Sequence, residues 1–512
     1  MEIWFMIIVT ASIAALLNAF ISLSKPNSNL PPGPRSVPIL STILWLRKSS
    51  FQTEQTLRKL RSKFGPIVTI HVGSRPLIFI SDGTLAHQAL IQLGPIFADR
   101  PKQPLTGKIM SSNQHNITTA GYGPTWRLLR RNLNLKILHP SKSKEFSSAR
   151  KWALEILLSQ LKQDTENNIN NNNNISGVVK VIDHFRFAMF CLLVFMCFGD
   201  KMVESCIREV EEVVYRPMVL FSRYQILNFW PWMTRVILRS RWNEFIDSRK
   251  KQEEVLMPCI TARKHSLQEL QEKVTTCYVD SLLELELSEN GIVKRKLSDK
   301  EIVTLCTEFL TGGTDTTSTA LQWIMANIVK NPNIQAKLLD EIKGVVGKKA
   351  KEVLENDLSK MPYLKAVVLE GLRRHPPFYF VLPHAVTQET EVGGYRIPEN
   401  AIINFRVADM GLDPEVWDDP MEFRPERFMS SQRNGIQDEF NITGKIKMMP
   451  FGAGKRMCPA SGLALLHLQY FVANLVCRFE WRVEEGKEVD LTEKQEFTIV
   501  MKNPLHAHIS PR

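Results

Sequence analysis

The hydrophobic pattern begins with a run that carries no charge: between Ile3 and Ser24 there is no Asp, Glu, Lys or Arg. That length matches the ~20 residues that span a bilayer as a helix. Pro31-Pro32-Gly33-Pro34 and Pro38 come next, and prolines at this density make a stiff extended segment that cannot continue a helix. Two β-branched runs, Ile67 to Val72 and Leu77 to Ser81, stand on either side of Gly73-Ser74 and predict a hairpin. Most of the chain beyond the hairpin has helical period, so the sheets should be small. The expected fold class is mainly α with small β-sheets behind an N-terminal membrane anchor helix.

Several helices can be placed individually. Thr125 to Arg131 reads as one, with Trp126 and Arg130 four apart on a shared face. Phe190 to Phe198 is strongly apolar but too short to cross a membrane, and reads as a core helix. Ser298 with Glu301 three residues on is a capping box that starts a long helix, stopped by Asn331-Pro332. Within it Ile302, Cys306, Phe309, Gly313, Thr316, Ala320 and Trp323 alternate spacings of four and three, predicting one buried stripe. Gly312-Gly313-Thr314-Asp315-Thr316-Thr317 lies mid-helix, where glycine costs roughly 1 kcal/mol against Ala, so a local loosening is expected there. Close packing through small residues is the plainer alternative.

Between Leu105 and Ala120 the pattern dissolves into Ser, Asn, Gln, Thr and Gly, predicting a long irregular loop of the functional or disordered kind. The tract Asn167 to Asn174, broken only by Ile169, buries nothing and reads as a surface loop. Phe378 to Pro383 and Phe497 to Val500 are apolar extended segments. With no matched cation or carboxylate in them, they suit a hydrophobic small-molecule pocket.

Charge and cysteines narrow the setting. The formal net charge is +12 over 512 residues, 65 basic against 53 acidic, which favours anionic membranes or an acidic partner. The basic residues are scattered, with no zinc-finger or RNA-binding motif, so no nucleic acid partner is expected. Eight cysteines without CxxC pairs or regular spacing speak for a reducing compartment. Glu2 follows Met1, while Lys25, Arg35, Arg47 and Lys48 follow the apolar run. That asymmetry makes the segment an uncleaved anchor with the bulk of the chain in the cytosol.

The chemistry concentrates at Phe451-Gly452-Ala453-Gly454-Lys455-Arg456-Met457-Cys458, which runs into the apolar stretch Leu463 to Val476. A thiolate at a helix entrance is stabilised by backbone N–H groups and the positive helix end, as a buried iron ligand requires. The glycines let the backbone pass close to a flat macrocycle, and the planar fork of Arg456 suits a carboxylate of the same cofactor. A Gly-rich turn beside an inert buried cysteine is the other reading. Trp126 and Arg130 offer an indole N–H and a guanidinium to a carboxylate, or form a solvated basic face. Glu370 and Arg373 are three apart on a helix, a pairing that occurs by chance on exposed surfaces. His384 either reaches a carboxylate or sits at the surface.

Phe451, Gly454, Arg456 and Cys458 together fit the pattern Phe-x-x-Gly-x-Arg-x-Cys, and the chain here resembles the cytochrome P450 superfamily. Gly312 to Thr317 is similar to its oxygen-activation motif, Trp126 and Arg130 to its Trp-x-x-x-Arg motif, and Glu370, Arg373 and Arg427 follow its order. The anchor, the proline segment and Glu308-Phe309-Leu310 resemble plant microsomal members, and Leu463 to Trp481 resembles plant family 89, subfamily A.

The resemblance implies a haem-thiolate monooxygenase with the cytochrome P450 prism fold. Its domains would be an anchor over 1–24, a hinge over 25–50 and a catalytic domain over 51–512. Cys458 would be the axial ligand of the iron of haem b. Trp126, Arg130, His384, Phe451, Gly454 and Arg456 would bind the cofactor, and Asp315 and Thr316 would deliver protons during oxygen activation. Glu370, Arg373 and Arg427 would form a buried lock behind the cysteine loop, and the loop 105–120 would touch substrate. Electrons would come from NADPH through NADPH-cytochrome P450 reductase, with Lys445, Lys447 and Lys455 as a basic docking face or a solvated loop. The substrate would be a hydrophobic specialised, lipid-like or pigment metabolite, and the location the endoplasmic reticulum membrane, single-pass, facing the cytosol. Two rivals stand beside this: a haem-thiolate isomerase or dehydratase needing no external electrons, and a membrane-anchored protein with a degenerate haem site. The second draws on one departure from the pattern, Ala460 where the family usually has glycine, costly if that backbone needs positive φ.

Overall fold

The computed structural model describes residues 10, 29–34, 50–72, 75–170, 178–269, 276–289, 293–429, 440–442 and 444–512. The anchor expected over 1–24 and most of the hinge expected over 25–50 lie outside them. No helix among the described residues is long and apolar enough to cross a membrane. The described chain is mainly helical with small sheets and divides into two compact units. One comprises residues up to 101, 379–417 and 440–457; the other comprises 102–378, 418–439 and 458–512.

The first unit is built on a four-stranded sheet. The predicted hairpin is present, β1 (Ile67–Val72) antiparallel to β2 (Arg75–Ile80), with Ile67 opposite Ile80. Strand β3 (His384–Ala385) pairs antiparallel with β4 (Ile402–Phe405), which lies parallel to β2. Both faces are apolar because apolar residues fill consecutive positions, as in Ile67-Val68 and Leu77 to Ile80, which point to opposite faces. Ile67, Ile78, Ile80, Ile403 and Phe405 pack with Leu90, Phe97 and Met449, while Val68, Ile70 and Phe79 pack with Leu57, Phe64 and Phe380. The proline segment is tied to this sheet, since the Thr69 N–H donates to the Pro32 carbonyl at 2.9 Å.

The second unit is helical, with α1 (Pro124–Leu133), α2 (Ile182–Phe198), α3 (Glu204–Val219), α4 (Asp299–Lys330), α5 (Pro362–Arg374) and α6 (Ser461–Arg478) carrying the residues of interest. The capping box of α4 forms as predicted: the Ser298 hydroxyl accepts the Glu301 N–H, and the Glu301 carboxylate accepts the Ser298 N–H at 2.8 Å. The single predicted stripe is too narrow. From Thr317 to Val329 every residue of α4 is buried, because α2, α5 and α6 all pack against it. The expected loosening at Gly312-Gly313 is absent, and α4 is one uninterrupted α-helix. Thr311, Thr314, Thr316 and Ser318 each donate a hydroxyl to the carbonyl four residues back, which accommodates them in the helix. Gly313 is there for close approach, since a Cβ would lie 2.8 Å from Leu193 Cδ1 of α2.

Two further expectations change at their edges. The loop expected over 105–120 begins with a short helix, Leu105–Met110. The helix Ser147–Asn170 runs into the first residues of the asparagine tract, whose remainder, 171–174, lies outside the described residues.

Candidate active site

Cys458 stands at the entrance of α6, where small and apolar residues let the helix start under a turn. Its thiol is raised above the ordinary cysteine value by burial, while the Ala460 N–H and the Arg130 guanidinium act the other way by favouring the thiolate. Arg130 in turn lies over the Trp126 ring, 5.4 Å from its centre, with Trp126 buried in α1. Burial pulls Arg130 down, and the negative charge Cys458 can carry draws it back up. The second unit therefore brings Trp126, Arg130 and Cys458 together, Arg130 facing the indole ring and acting on the thiol. Ala460 has φ −94° and ψ 17°, so its backbone asks for no glycine. The backbone-strain objection raised by the departure from the family pattern falls away.

The rest of the cysteine loop belongs to the first unit. Gly454 has φ +68°, and a Cβ there would lie 2.1 Å from the Leu90 carbonyl oxygen, so glycine is required twice over. Phe451 packs against Phe440 with ring centres 6.0 Å apart. Arg456 Nε donates to the Ala98 carbonyl at 2.6 Å. His384 is buried, not at the surface, and its Nδ1 meets the Phe97 carbonyl at 2.6 Å. Burial first, then the cations of Arg100 and Arg456, hold its pKa down to about 3. A neutral imidazole whose Nδ1–H is spent on a carbonyl leaves Nε2 without a proton. As placed, His384 therefore offers a carboxylate no N–H, contrary to the expected direct contact.

The acid and alcohol of α4 sit differently from each other. The Thr316 hydroxyl is donated to the Gly312 carbonyl at 2.8 Å. Asp315 is buried and accepts from Arg186 Nε at 3.1 Å and from the Tyr215 hydroxyl at 2.7 Å. Arg186 itself lies over the Tyr215 ring. Burial and the adjacent Asp315 push the Tyr215 hydroxyl well above the usual tyrosine value. Arg186 on α2 and Tyr215 on α3 were not foreseen; a lone arginine in the apolar run Phe185 to Phe190 was the legible signal for the first.

The predicted charge lock is formed. Arg373 binds Glu370 through two parallel bonds, Nε–Oε2 at 2.6 Å and Nη2–Oε1 at 2.8 Å, and Arg427 Nε reaches Glu370 Oε1 at 3.2 Å. The Arg424 N–H adds a fourth donor at 2.8 Å. Of the expected docking lysines, Lys445 is balanced by Asp413 at 3.2 Å and Glu415 at 3.9 Å, Lys447 lies over the Trp417 ring, and Lys455 is exposed. Phe378 and Phe497, from the two apolar segments, meet edge to face at 5.7 Å.

The donor set fits a haem-thiolate group. A cysteine beside an N–H and a guanidinium that favour its anion is the donor such a group requires, and nothing lies within 4 Å of a Cβ built on Gly312, one helical turn before Thr316. Comparison with known proteins agrees. Residues 31–509 match the protein family described as Cytochrome P450. The chain is 48% identical to Cytochrome P450 89A9 of Arabidopsis thaliana, over 98% of this chain and 97% of that one. It is 29% identical to a flavonoid 3',5'-hydroxylase of Crocosmia x crocosmiiflora over 97% and 94% of the two chains. It is 28% identical to geraniol 8-hydroxylase of Catharanthus roseus over 96% of each. In three dimensions it resembles a zebra fish cytochrome P450 solved with progesterone, with a TM-score of 0.73 at 22% identity, covering 90% of this chain and 99% of that one.

Proposed function

The chain belongs to the cytochrome P450 family and is a monooxygenase, and from that premise we propose that it inserts one oxygen atom of dioxygen into a hydrophobic small molecule with electrons passed from NADPH by a reductase. The observation that carries this is Cys458, held at the entrance of α6 with the Ala460 N–H and Arg130 both favouring its anion. The haem-thiolate cofactor implied by the family would supply oxygen activation, with the thiolate as its electron-donating ligand.

The residues of this chain have separate tasks. Cys458 would provide the ligand; Arg130, Trp126 and Arg456 would hold the carboxylates of haem b. Phe451 and Gly454 give the loop its close approach. His384 contributes at one remove, by fixing the carbonyl next to the one that holds Arg456. Thr316 would hold a proton at its hydroxyl for oxygen activation, and Asp315 would supply protons to it. Glu370, Arg373 and Arg427 keep the proximal backbone in place. Phe378 and Phe497 offer apolar contact, consistent with the flavonoid and geraniol in the names of two relatives; a specialised, lipid-like or pigment metabolite is the substrate class.

An anchor over 1–24, a hinge over 25–50 and a catalytic domain over 51–512 would place the enzyme on the endoplasmic reticulum membrane, facing the cytosol. The reductase face rests on Lys447 and Lys455, since Lys445 is neutralised by its own neighbours.

The test is the reduced carbon monoxide difference spectrum of the full-length protein. A thiolate-type Soret shift in the wild type that is lost in Cys458→Ala supports the ligand; a shift that survives the substitution refutes it. Turnover requiring neither NADPH nor dioxygen would replace the monooxygenase reading with isomerisation or dehydration.

A further inference from the structure

One half-buried carboxylate of α4, Glu308, has no part in the chemistry above. Glu308 Oε2 accepts the Ile117 N–H at 2.9 Å and Oε1 accepts the Thr118 N–H at 2.6 Å. Burial raises its pKa, and these N–H groups with the Thr118 side chain oppose the rise. No cation is among the groups that act on it. An acid in so apolar a run of helix is costly unless its oxygens are satisfied, and here the main chain of a distant segment satisfies them.

That segment, 111–119, is a strap along the N-terminal half of α4. Ser112, Asn113 and Gln114 have φ of 46°, 60° and 65°, three consecutive left-handed non-glycine residues, a conformation that persists only where surrounding contacts enforce it. Asn113 and Gln114 are held by neighbouring loop residues, the Asn113 N–H by the Lys108 carbonyl at 2.7 Å and the Gln114 side chain by the Thr119 carbonyl at 2.6 Å; the contacts on either side of them come from α4. The Ser112 hydroxyl bonds the Thr304 hydroxyl at 2.7 Å and the Lys300 carbonyl at 3.0 Å, and His115 Nδ1 meets Glu301 Oε1 at 2.5 Å. Glu308 secures the far end, where Asn116 closes the turn by accepting the Thr119 N–H at 3.0 Å.

Positions 304, 308, 312 and 316 are four apart, so they form one ridge of the helix. The first two hold the strap; the last two are Gly312 and Thr316 of the oxygen motif. The carboxylate at 308 thus fixes how the strap continues toward the half of the ridge where substrate is oxidised. We propose that Glu308 is a positioning residue that determines substrate specificity, by holding the strap through the Ile117 and Thr118 N–H groups in the one register that shapes the substrate side of this ridge. This rests on the monooxygenase reading of the ridge.

Glu308→Gln keeps the size but sets an amide N–H₂ against one of the two backbone donors, so one of two charge-assisted bonds is lost and the other weakened. The experiment uses full-length holoenzyme and two iron-binding probes: imidazole, which is small enough to report the iron alone, and an imidazole bearing a bulky biphenyl group, which also reports the walls. In Glu308→Gln the carbon monoxide spectrum and the imidazole Kd stay at wild-type values, while the bulky probe's Kd shifts by about tenfold, the effect of one such bond. A ratio of the two Kd values that does not move overturns the proposal. Hydrogen exchange on the wild type decides it independently of how the variant folds: the Ile117 and Thr118 amides exchange slowly if the clamp holds, and exchange as fast as open loop overturns it. A wild type without a thiolate-type spectrum would defeat the monooxygenase reading while leaving the exchange result to judge the clamp.

Discussion

His384 and Arg456 hydrogen-bond consecutive carbonyls, Nδ1 of one to Phe97 and Nε of the other to Ala98, each at 2.6 Å. The two residues, expected to share one role, therefore divide it. Arg456 carries the charge, and His384, neutral with a pKa of about 3, steadies the backbone on which Arg456 rests. His384→Leu leaves a buried carbonyl unsatisfied and should cost about 1–3 kcal/mol of stability while keeping the haem content of the wild type. Arg456→Ala should lower haem content instead. Thermal unfolding alongside the haem-to-protein ratio separates them; equal haem loss in both variants would restore a direct contact for His384.

The Glu370 cluster should respond most strongly to loss of its acid. With Glu370→Ala, Arg373 and Arg427 stay 0% and 7% exposed in their side chains without a carboxylate. Breaking such a buried group costs about 3–5 kcal/mol. The denaturant midpoint should fall accordingly, and a midpoint within error of the wild type would mean that the cluster contributes no net stability.

Acid should weaken the start of α4. Burial alone would raise the Glu301 carboxyl, but Arg295, the Ser298 N–H, His115 and the Ser298 hydroxyl outweigh it and hold the pKa down to about 2, against an ordinary 4.5. The folded value is depressed, so the stabilisation is complete above pH 4.5 and is lost as pH falls toward 2. Wild type and Glu301→Gln should differ in stability at neutral pH and converge through that window, read from denaturant titrations at stepped pH. A constant difference across it would exclude Glu301 as the titrating group.

Much of the fold and the site was legible because it depends on local chemistry. The capping box at Ser298, the β-branched runs of β1 and β2 and the Cys458 loop each put their physical requirement into adjacent residues. The illegible part depends on partners distant in sequence. Glu308 enters the sequence reading only through the likeness of Glu308-Phe309-Leu310 to plant microsomal members, and nothing near it announces that residues 117 and 118 supply its donors. The Gly312-Gly313 loosening was inferred from propensities, and packing on three sides together with hydroxyl back-bonding overrode them. Ala460 looked like a defect only while its φ was unknown.

Asp315 is the residue on which proton delivery can be tested most sharply, because its two donors differ in kind. Arg186 offers a charge and Tyr215 a neutral hydroxyl, both to Oδ1. If Asp315 feeds protons to Thr316, Asp315→Asn removes the exchangeable acid and turnover should fall by about 10²-fold, the usual scale of a positioned acid or base, with unchanged probe binding. Tyr215→Phe leaves the carboxylate and its arginine in place but withdraws one donor, freeing the carboxylate to move. Its turnover should change far less, while the solvent isotope effect on turnover shifts from the wild-type value. Steady-state rates in H₂O and D₂O check both. An isotope effect untouched by either substitution would place the rate-limiting proton elsewhere and reduce the Arg186–Asp315–Tyr215 group to a structural tie between α2, α3 and α4.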